Sequence, residues 1–268
     1  YETIDLPPYN FEKILADVSW HSVEEQFKMP LYYRKAHVEL LHIPYFSVPI
    51  FTPKPFVVTI HDLTISHFAT GKATTKPFPV YQIKRIGYKL TLSYAINRAC
   101  RVITVSETIK KQILREYKID PGNIFVTYES GKLDESVTIS SESSSKSRDK
   151  FPYPYLLYVG NAHPHKNLEI LIHAFPVVLE HYPKFKLVLI GKQDFFYDRL
   201  VGLVKKKKLE KNIMFPGEID NVNLPSWYQN AAAFIFPSKS EGFGIPGLEA
   251  MSMSCPVIAA DTTTFHEI

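Results

Sequence analysis

Short β-branched runs alternate with longer stretches of helical period along most of this chain. In KPFVVTIHDL (54–63) an apolar run ends in His61 and Asp62, which predicts a buried parallel strand with that polar pair at its carboxyl end. A helical pattern follows over 80–98. CRVITVSETIKKQILREY (100–117) then predicts a strand passing into a helix capped by Ser106, and NIFVTYES (123–130) another strand. The tract DESVTISSESSSKSRDK (134–150) is almost free of apolar residues and reads as an exposed linker between domains. After it the alternation resumes. Strands are predicted in YPYLLYVGN, FKLVLIGK, NIMFPGE, AAFIFPS and PVIAAD, and helices in HKNLEILIHAFPVVLEHY, FYDRLVGLVKKKKL, LPSWYQNA and PGLEAMSMS. Strands alternating with helices imply an α/β protein with doubly wound parallel sheets on both sides of the linker. The expected division is 1–133, 134–150 and 151–268.

Composition narrows the class. With 268 residues, 45% hydrophobic and 22% charged, two globular domains are the natural division. A net charge of +4 is too small to imply a nucleic-acid partner. The two cysteines, Cys100 and Cys255, form neither a disulfide framework nor a metal-ligand spacing, which points to a reducing compartment. No apolar run approaches the roughly 18 residues of a membrane span, and YETIDLPPYN has no signal-peptide core. The cytoplasm is the expected location. Cys255 and Met251 read as core filler, and lysines 205–208 as a solvated helix face.

Ligands of such sheets bind at the carboxyl ends of the strands. Four segments place polar groups there: His61 and Asp62, then 161–166, then Gly191 and Lys192, then 238–244. Lys166, near a helix start, suits either an anion site or a solvated first turn. His61 suits either a hydrogen-bonded structural role or a catalytic one, and His42 the same. The most specific segment is SEGFGIPGLEAM (240–251). Its glycines permit close backbone approach, Pro246 suits a first helical turn, and the loop amides can face an anion. Glu241 and Glu249, eight positions apart, could bracket a polyhydroxylated ligand, since carboxylates accept from hydroxyls.

SEGFGIPGLEAMSMSCPVIAAD resembles the Glu-x7-Glu signature of the retaining glycosyltransferases of family 4, which have the GT-B fold. YVGNAHPHKN resembles the phosphate loop of that family, and VVTIHDL and VITVSETIKKQI its N-terminal strands. The resemblance implies a hexosyltransferase using a nucleoside diphosphate sugar, with a saccharide or lipid-linked acceptor, no cofactor and no metal. It assigns Glu249 to the ribose. Glu241 and the amides of Gly242, Phe243, Gly244 and Ile245 fall to the donor sugar and phosphates, Lys166 to the diphosphate, and His61 to the sugar from the other domain. The base is expected near Glu218 and Ile219. Asn161 stands where many members carry a second basic residue, which shifts diphosphate neutralisation toward Lys166 or Lys192. No Asp-x-Asp motif offers to hold a metal. Measured against the family, both ends are expected to be incomplete. The alternatives are a nucleotide-sugar 2-epimerase or phosphorylase on the same fold, or a non-catalytic nucleotide-sugar-binding subunit.

One charge pattern bears on the acceptor. Segment 76–118 carries ten Lys/Arg against only Glu107 and Glu116. On its helix Gln82, Arg85 and Lys89 share one face, while Ile83, Ile86 and Leu90 favour the other, and Tyr81, Tyr88 and Tyr94 lie nearby. This fits either a solubilising surface or a patch that holds the protein on anionic lipid at the inner face of a membrane.

Overall fold

The structure is a computed structural model that describes residues 10–19, 22–64, 78–131 and 152–268. The first half builds a parallel sheet from β1 (Leu41–Ile43), β2 (Phe56–Ile60), β3 (Arg101–Thr104) and β4 (Ile124–Val126), in that spatial order. Helices α1 (Val23–Lys35), α2 (Phe78–Arg98) and α3 (Glu107–Glu116) belong to it. α3 begins where expected: the Ser106 hydroxyl accepts from the Ile109 amide at 3.2 Å. Its apolar stripe buries Ile109 and Ile113 against the sheet. α1 has the same logic, with Ser22 capping the Glu25 amide, acids in its first turn and bases in its last.

The second half holds β5 (Tyr155–Val159), β6 (Lys186–Ile190), β7 (Ile213–Gly217), β8 (Ala233–Phe236) and β9 (Val257–Ala259), all parallel in the order β7-β6-β5-β8-β9. The helices are α4 (Leu168–His181), α5 (Phe195–Lys206), α6 (Leu224–Asn230), α7 (Ile245–Ser252) and α8 (Thr263–Glu267). The chain winds outward from β5 through β7, then returns to place β8 on the other side of β5. The topological switch point therefore lies between β5 and β8, flanked by the loops that follow them.

Parallel strands covered on both faces must be apolar on both faces. In β6, Leu187 and Leu189 pack with Ile172, Phe175 and Leu200 on one side. Val188 and Ile190 pack with Leu157, Tyr228 and Phe234 on the other. The core of the first half gathers Val58, Ile60, Leu92, Ile96, Val102 and Ile113, and it also takes in Phe243, a residue of the second half.

Two expectations need correction. Met251 is 52% exposed rather than core filler, because α7 turns it away from β8; Cys255 is buried as expected. Tyr88 lies in the first core and not on a surface, since it shares the buried face of α2 with Leu92, Ala95 and Ile96. Ile83, Ile86 and Leu90, by contrast, face outward at 70%, 59% and 66% exposure. The Ser-rich tract 134–150, with the domain boundaries placed there, and Lys76 lie outside the described residues. Among the described residues no helix is long and apolar enough to cross a membrane.

This packing predicts unequal costs for two truncations. Leu157→Ala, fully buried in β5, is expected to lower the unfolding free energy by about 2–5 kcal/mol. Ile83→Ala is expected to stay within about 0.5 kcal/mol. Urea unfolding of the full-length protein measures both.

Candidate functional site

At the switch point Lys166 Nζ donates to both carboxylate oxygens of Glu241, at 2.6 and 2.8 Å. Their side chains retain 15% and 11% exposure, so water screens the pair little. Lys166 ends a short 3-10 turn (Pro164–Lys166) after β5, and Asn167 alone separates it from α4, which begins at Leu168. The two loops are tied at further points. Asn167 Nδ2 donates to the Pro237 carbonyl at 3.3 Å, and the Lys239 amide to the His165 carbonyl at 2.8 Å. Burial, then Lys166, pushes the His165 imidazole down to about 3, so it stays neutral beside the lysine.

Two buried tyrosines, unmarked in the sequence, shape the loop after β5 from below. The Tyr158 hydroxyl donates to the Asn161 carbonyl at 2.7 Å. That of Tyr197 lies 2.7 Å from the Gly160 carbonyl and 2.9 Å from that of Ile190. Asn161 itself is exposed, with Oδ1 accepting from the His163 amide at 3.2 Å. Lys192 is exposed after β6 and Ile219 is partly buried after β7, both at the same carboxyl edge of the sheet.

From Glu241 the chain turns through Gly242, Phe243 and Gly244 into α7. Gly242 presses on the first half: a Cβ there would collide with the His61 carbonyl oxygen. Gly244 caps α7 at φ 112°, a left-handed conformation suited to glycine. No side chain caps α7; in its first turn Pro246 has no N–H and the Gly247 amide donates to the Gly244 carbonyl at 2.9 Å. Glu249 lies one turn in, where its Oε2 accepts from the Tyr228 hydroxyl at 2.9 Å. Burial raises the Glu249 carboxyl above its usual range and the Tyr228 hydrogen bond opposes that rise. Burial, then Glu249, pushes the Tyr228 hydroxyl far above its usual value, so it remains a donor. Tyr228 in LPSWYQNA carried no signal beyond an aromatic on an amphipathic helix.

His61 ends β2 and touches the second half through that carbonyl. Its ring is engaged within the first half, Nδ1 with Glu129 Oε1 and Nε2 with the Pro44 carbonyl, each at 2.9 Å. A carbonyl only accepts, so Nε2 carries a proton. His42 is held by Thr59, at 2.8 Å. The structure thus brings Lys166, Glu241, Gly242 and the His61 backbone together, with Glu249 one turn beyond. A separate cavity of about 400 Å³ between α4 and α5, lined in part by His163, Phe196 and Arg199, includes none of these residues.

The family described as Glycosyl transferases group 1 matches residues 140–268, and Glycosyltransferase Family 4 matches residues 7–129. The chain belongs to the group 1 glycosyltransferases. Its parallel-sheet architecture is of the GT-B type. Among curated relatives of this glycosyltransferase, the O-antigen chain mannosyltransferase RfbU of Salmonella typhimurium is 30% identical over 213 residues, 79% of this chain and 53% of that protein. O-antigen chain mannosyltransferase B of Escherichia coli is 28% identical over 85% of this chain and 58% of its own. The chain thus spans a little over half the length of these relatives. Among solved structures, Anabaena Alr3699/HepE in complex with UDP and glucose superposes with TM-score 0.71 at 19% identity, covering 92% of this chain and 66% of that one. WaaG, a glycosyltransferase involved in lipopolysaccharide biosynthesis, gives 0.69 at 19% identity, covering 98% and 71%.

The Glu249 environment yields a stability prediction. A carboxyl whose folded pKa is raised binds its proton more tightly when folded. Stability is then lost as pH rises from the unfolded value, near 4.5, through the raised folded value. Glu249→Gln is therefore expected to melt above the wild type at pH 7, with the gap closing toward pH 4. Calorimetry across that range measures it.

Proposed function

We propose that this glycosyltransferase moves a hexose from a nucleoside diphosphate sugar to the hydroxyl of a saccharide or lipid-linked acceptor, with retention of anomeric configuration and without a metal ion. The observation that carries the reading is the shielded Lys166–Glu241 pair at the switch point, beside the glycine loop that runs from Gly242 into the N-terminus of α7. A donor diphosphate fits there as the anion that replaces the Glu241 carboxylate on Lys166, releasing that carboxylate to the sugar hydroxyls. Glu249, held by Tyr228 through one oxygen, then offers the other to the ribose. Asn161, Lys192 and the backbone at Ile219 complete the rim of the donor site.

In the reaction the bond from the anomeric carbon to the diphosphate oxygen breaks as the acceptor oxygen attacks on the same face. The acceptor proton passes to the departing phosphate oxygen, so no enzymic base is needed. Negative charge grows on the diphosphate, and a fixed cation with preoriented amides stabilises it without reorganising. His61 positions and polarises the sugar after exchanging one of its present partners for it.

The acceptor side is proposed from the surface of α2. Exposed Lys84 and Lys89 flank the outward-facing Ile83, Ile86 and Leu90. Cations beside apolar side chains suit an anionic bilayer, each cation adding roughly 1 kcal/mol near the surface. Such a surface would place a lipid-linked acceptor at the cleft, with the protein peripheral on the cytoplasmic face.

Kinetics of the full-length protein test the donor site. Lys166→Ala is expected to lower kcat/KM by roughly 10²- to 10³-fold, and Glu241→Gln to lower kcat by at least about tenfold. Glu249→Ala should raise donor KM with kcat nearly intact. Activity is expected to survive EDTA. Wild-type kinetics in all three variants at limiting donor would refute the site, and a strict need for added divalent ion would refute the metal-free reaction.

Vesicle co-sedimentation tests the membrane reading. Binding is expected to require anionic lipid and to weaken as salt is raised. Equal binding to neutral vesicles, or none at low salt, would leave a soluble acceptor.

A further inference from the structure

The first turn of α3 belongs to the first half, yet most of what satisfies it comes from the second. Glu267 Oε1 accepts from the Glu107 amide at 2.5 Å, and Oε2 from the Thr108 amide at 2.9 Å and the Thr108 hydroxyl at 2.8 Å. With Ser106 Oγ accepting from the Ile109 amide, each of the first three amides of the helix has an acceptor, and none is left bare. The Ser106 hydroxyl proton is not spare either: it is donated to the Gly242 carbonyl at 2.7 Å. The helix cap of one half thus holds the glycine loop of the other.

α8 closes the circuit. Thr264, buried, donates its hydroxyl to the Glu241 carbonyl at 2.9 Å. Phe265 packs on Phe236 at the end of β8, ring centroids 4.5 Å apart, which anchors α8 to the second sheet. One short helix therefore holds the backbone of Glu241 with one residue and reaches the other half with another, three positions along. A carboxylate at a helix N-terminus is also favoured by the helix dipole.

We infer that Glu267 is a positioning residue for sugar transfer: by gripping the N-terminus of α3 it keeps the Glu241–Gly242 segment seated against the His61 edge of the first sheet. The inference rests on the reading of this site as a donor site for sugar transfer. Burial pushes the Glu267 carboxyl up, but the Thr108 hydroxyl, the Glu107 and Thr108 amides and the Tyr128 hydroxyl outweigh it and hold it below the usual carboxylate value. The grip is therefore charged throughout the neutral range. Glu267 is separate from the residues assigned to the nucleotide: its carboxylate is spent on Glu107 and Thr108, whereas Lys166 pairs with Glu241 and Glu249 with Tyr228.

Glu267→Gln in the full-length protein separates this role from a merely structural one. It keeps the size of the side chain but removes the charge and one acceptor oxygen. kcat is expected to fall roughly 10- to 100-fold, while the affinity for GDP or UDP alone, whichever the wild type binds, stays within about twofold. Small-angle X-ray scattering of the nucleotide-bound protein is expected to show a larger radius of gyration. Thr108→Val, acting from the other side of the contact, should lower kcat in the same direction and add little on top of Glu267→Gln. Unchanged kcat in Glu267→Gln, or a fall in kcat matched by an equal loss of nucleotide affinity, would overturn the inference. A wild type that releases no nucleotide from any sugar donor would instead refute the transferase reading. Scattering then decides the clasp alone, and an unchanged radius would overturn it.

Discussion

Lys166 and Glu241 face each other with little water between or around them, and most of the site is arranged by what that pairing requires. Removing one member of a shielded pair leaves an uncompensated charge, at a cost of about 3–5 kcal/mol. The pair is possible only because β5 and β8 are neighbours whose following loops diverge to opposite faces of the sheet. Asn167 and Lys239 fasten those loops, and Thr264 fixes the carbonyl of Glu241 itself. Once Glu241 is set, Gly242 must come next, and its missing side chain is what lets the loop meet the backbone of His61. On the proposed reaction the same ion pair is a resting state. The lysine is kept company by a carboxylate until a better anion arrives, and the carboxylate is then free for the sugar.

Much of this was legible from residues alone. The apolar run of β8 followed by Glu, glycines, proline and Glu located the loop and α7, and Ser106 announced α3. The partners were less legible, for a physical reason. Periodicity says that one face of a helix differs from another, but not what covers it. Ile83, Ile86 and Leu90 could be told apart from the face of Gln82, Arg85 and Lys89, but nothing local showed that Tyr88 on the same helix takes the buried position. Tyr228 gave no sign of its hydroxyl contact with Glu249, and Glu267 sat in DTTTFHEI as an ordinary polar residue, since its partners are about 160 positions away. Hydrogen bonds between distant segments leave no local periodic trace, and those bonds hold this site together.

The site also carries local costs. Burial opposes the charged form of Glu249, with the Tyr228 hydroxyl offsetting part of the penalty. Ser238, at the base of the loop, buries a hydroxyl without a hydrogen-bond partner among the described residues, a state that stable cores avoid. Stability is spent near the strand ends and regained in the strands, where Leu157, Val188 and Phe234 are fully enclosed.

Phe243 is flanked by two glycines, Gly242 and Gly244, yet its ring lies in the core of the first half, stacked 5.8 Å from Tyr128. Ile245, Leu248 and Ile268 pack against the same cluster. The two halves therefore meet as parts of one apolar interior rather than as bodies touching at a polar seam. Dissection of the chain would show this directly. The second half made alone would present Phe243 and its neighbours to water, and the first made alone would present the cradle they fill. Each piece would be prone to self-association, and mixing them would restore the missing partner. The loop proposed to meet the donor is, by the same residues, the joint that makes the two halves a single protein.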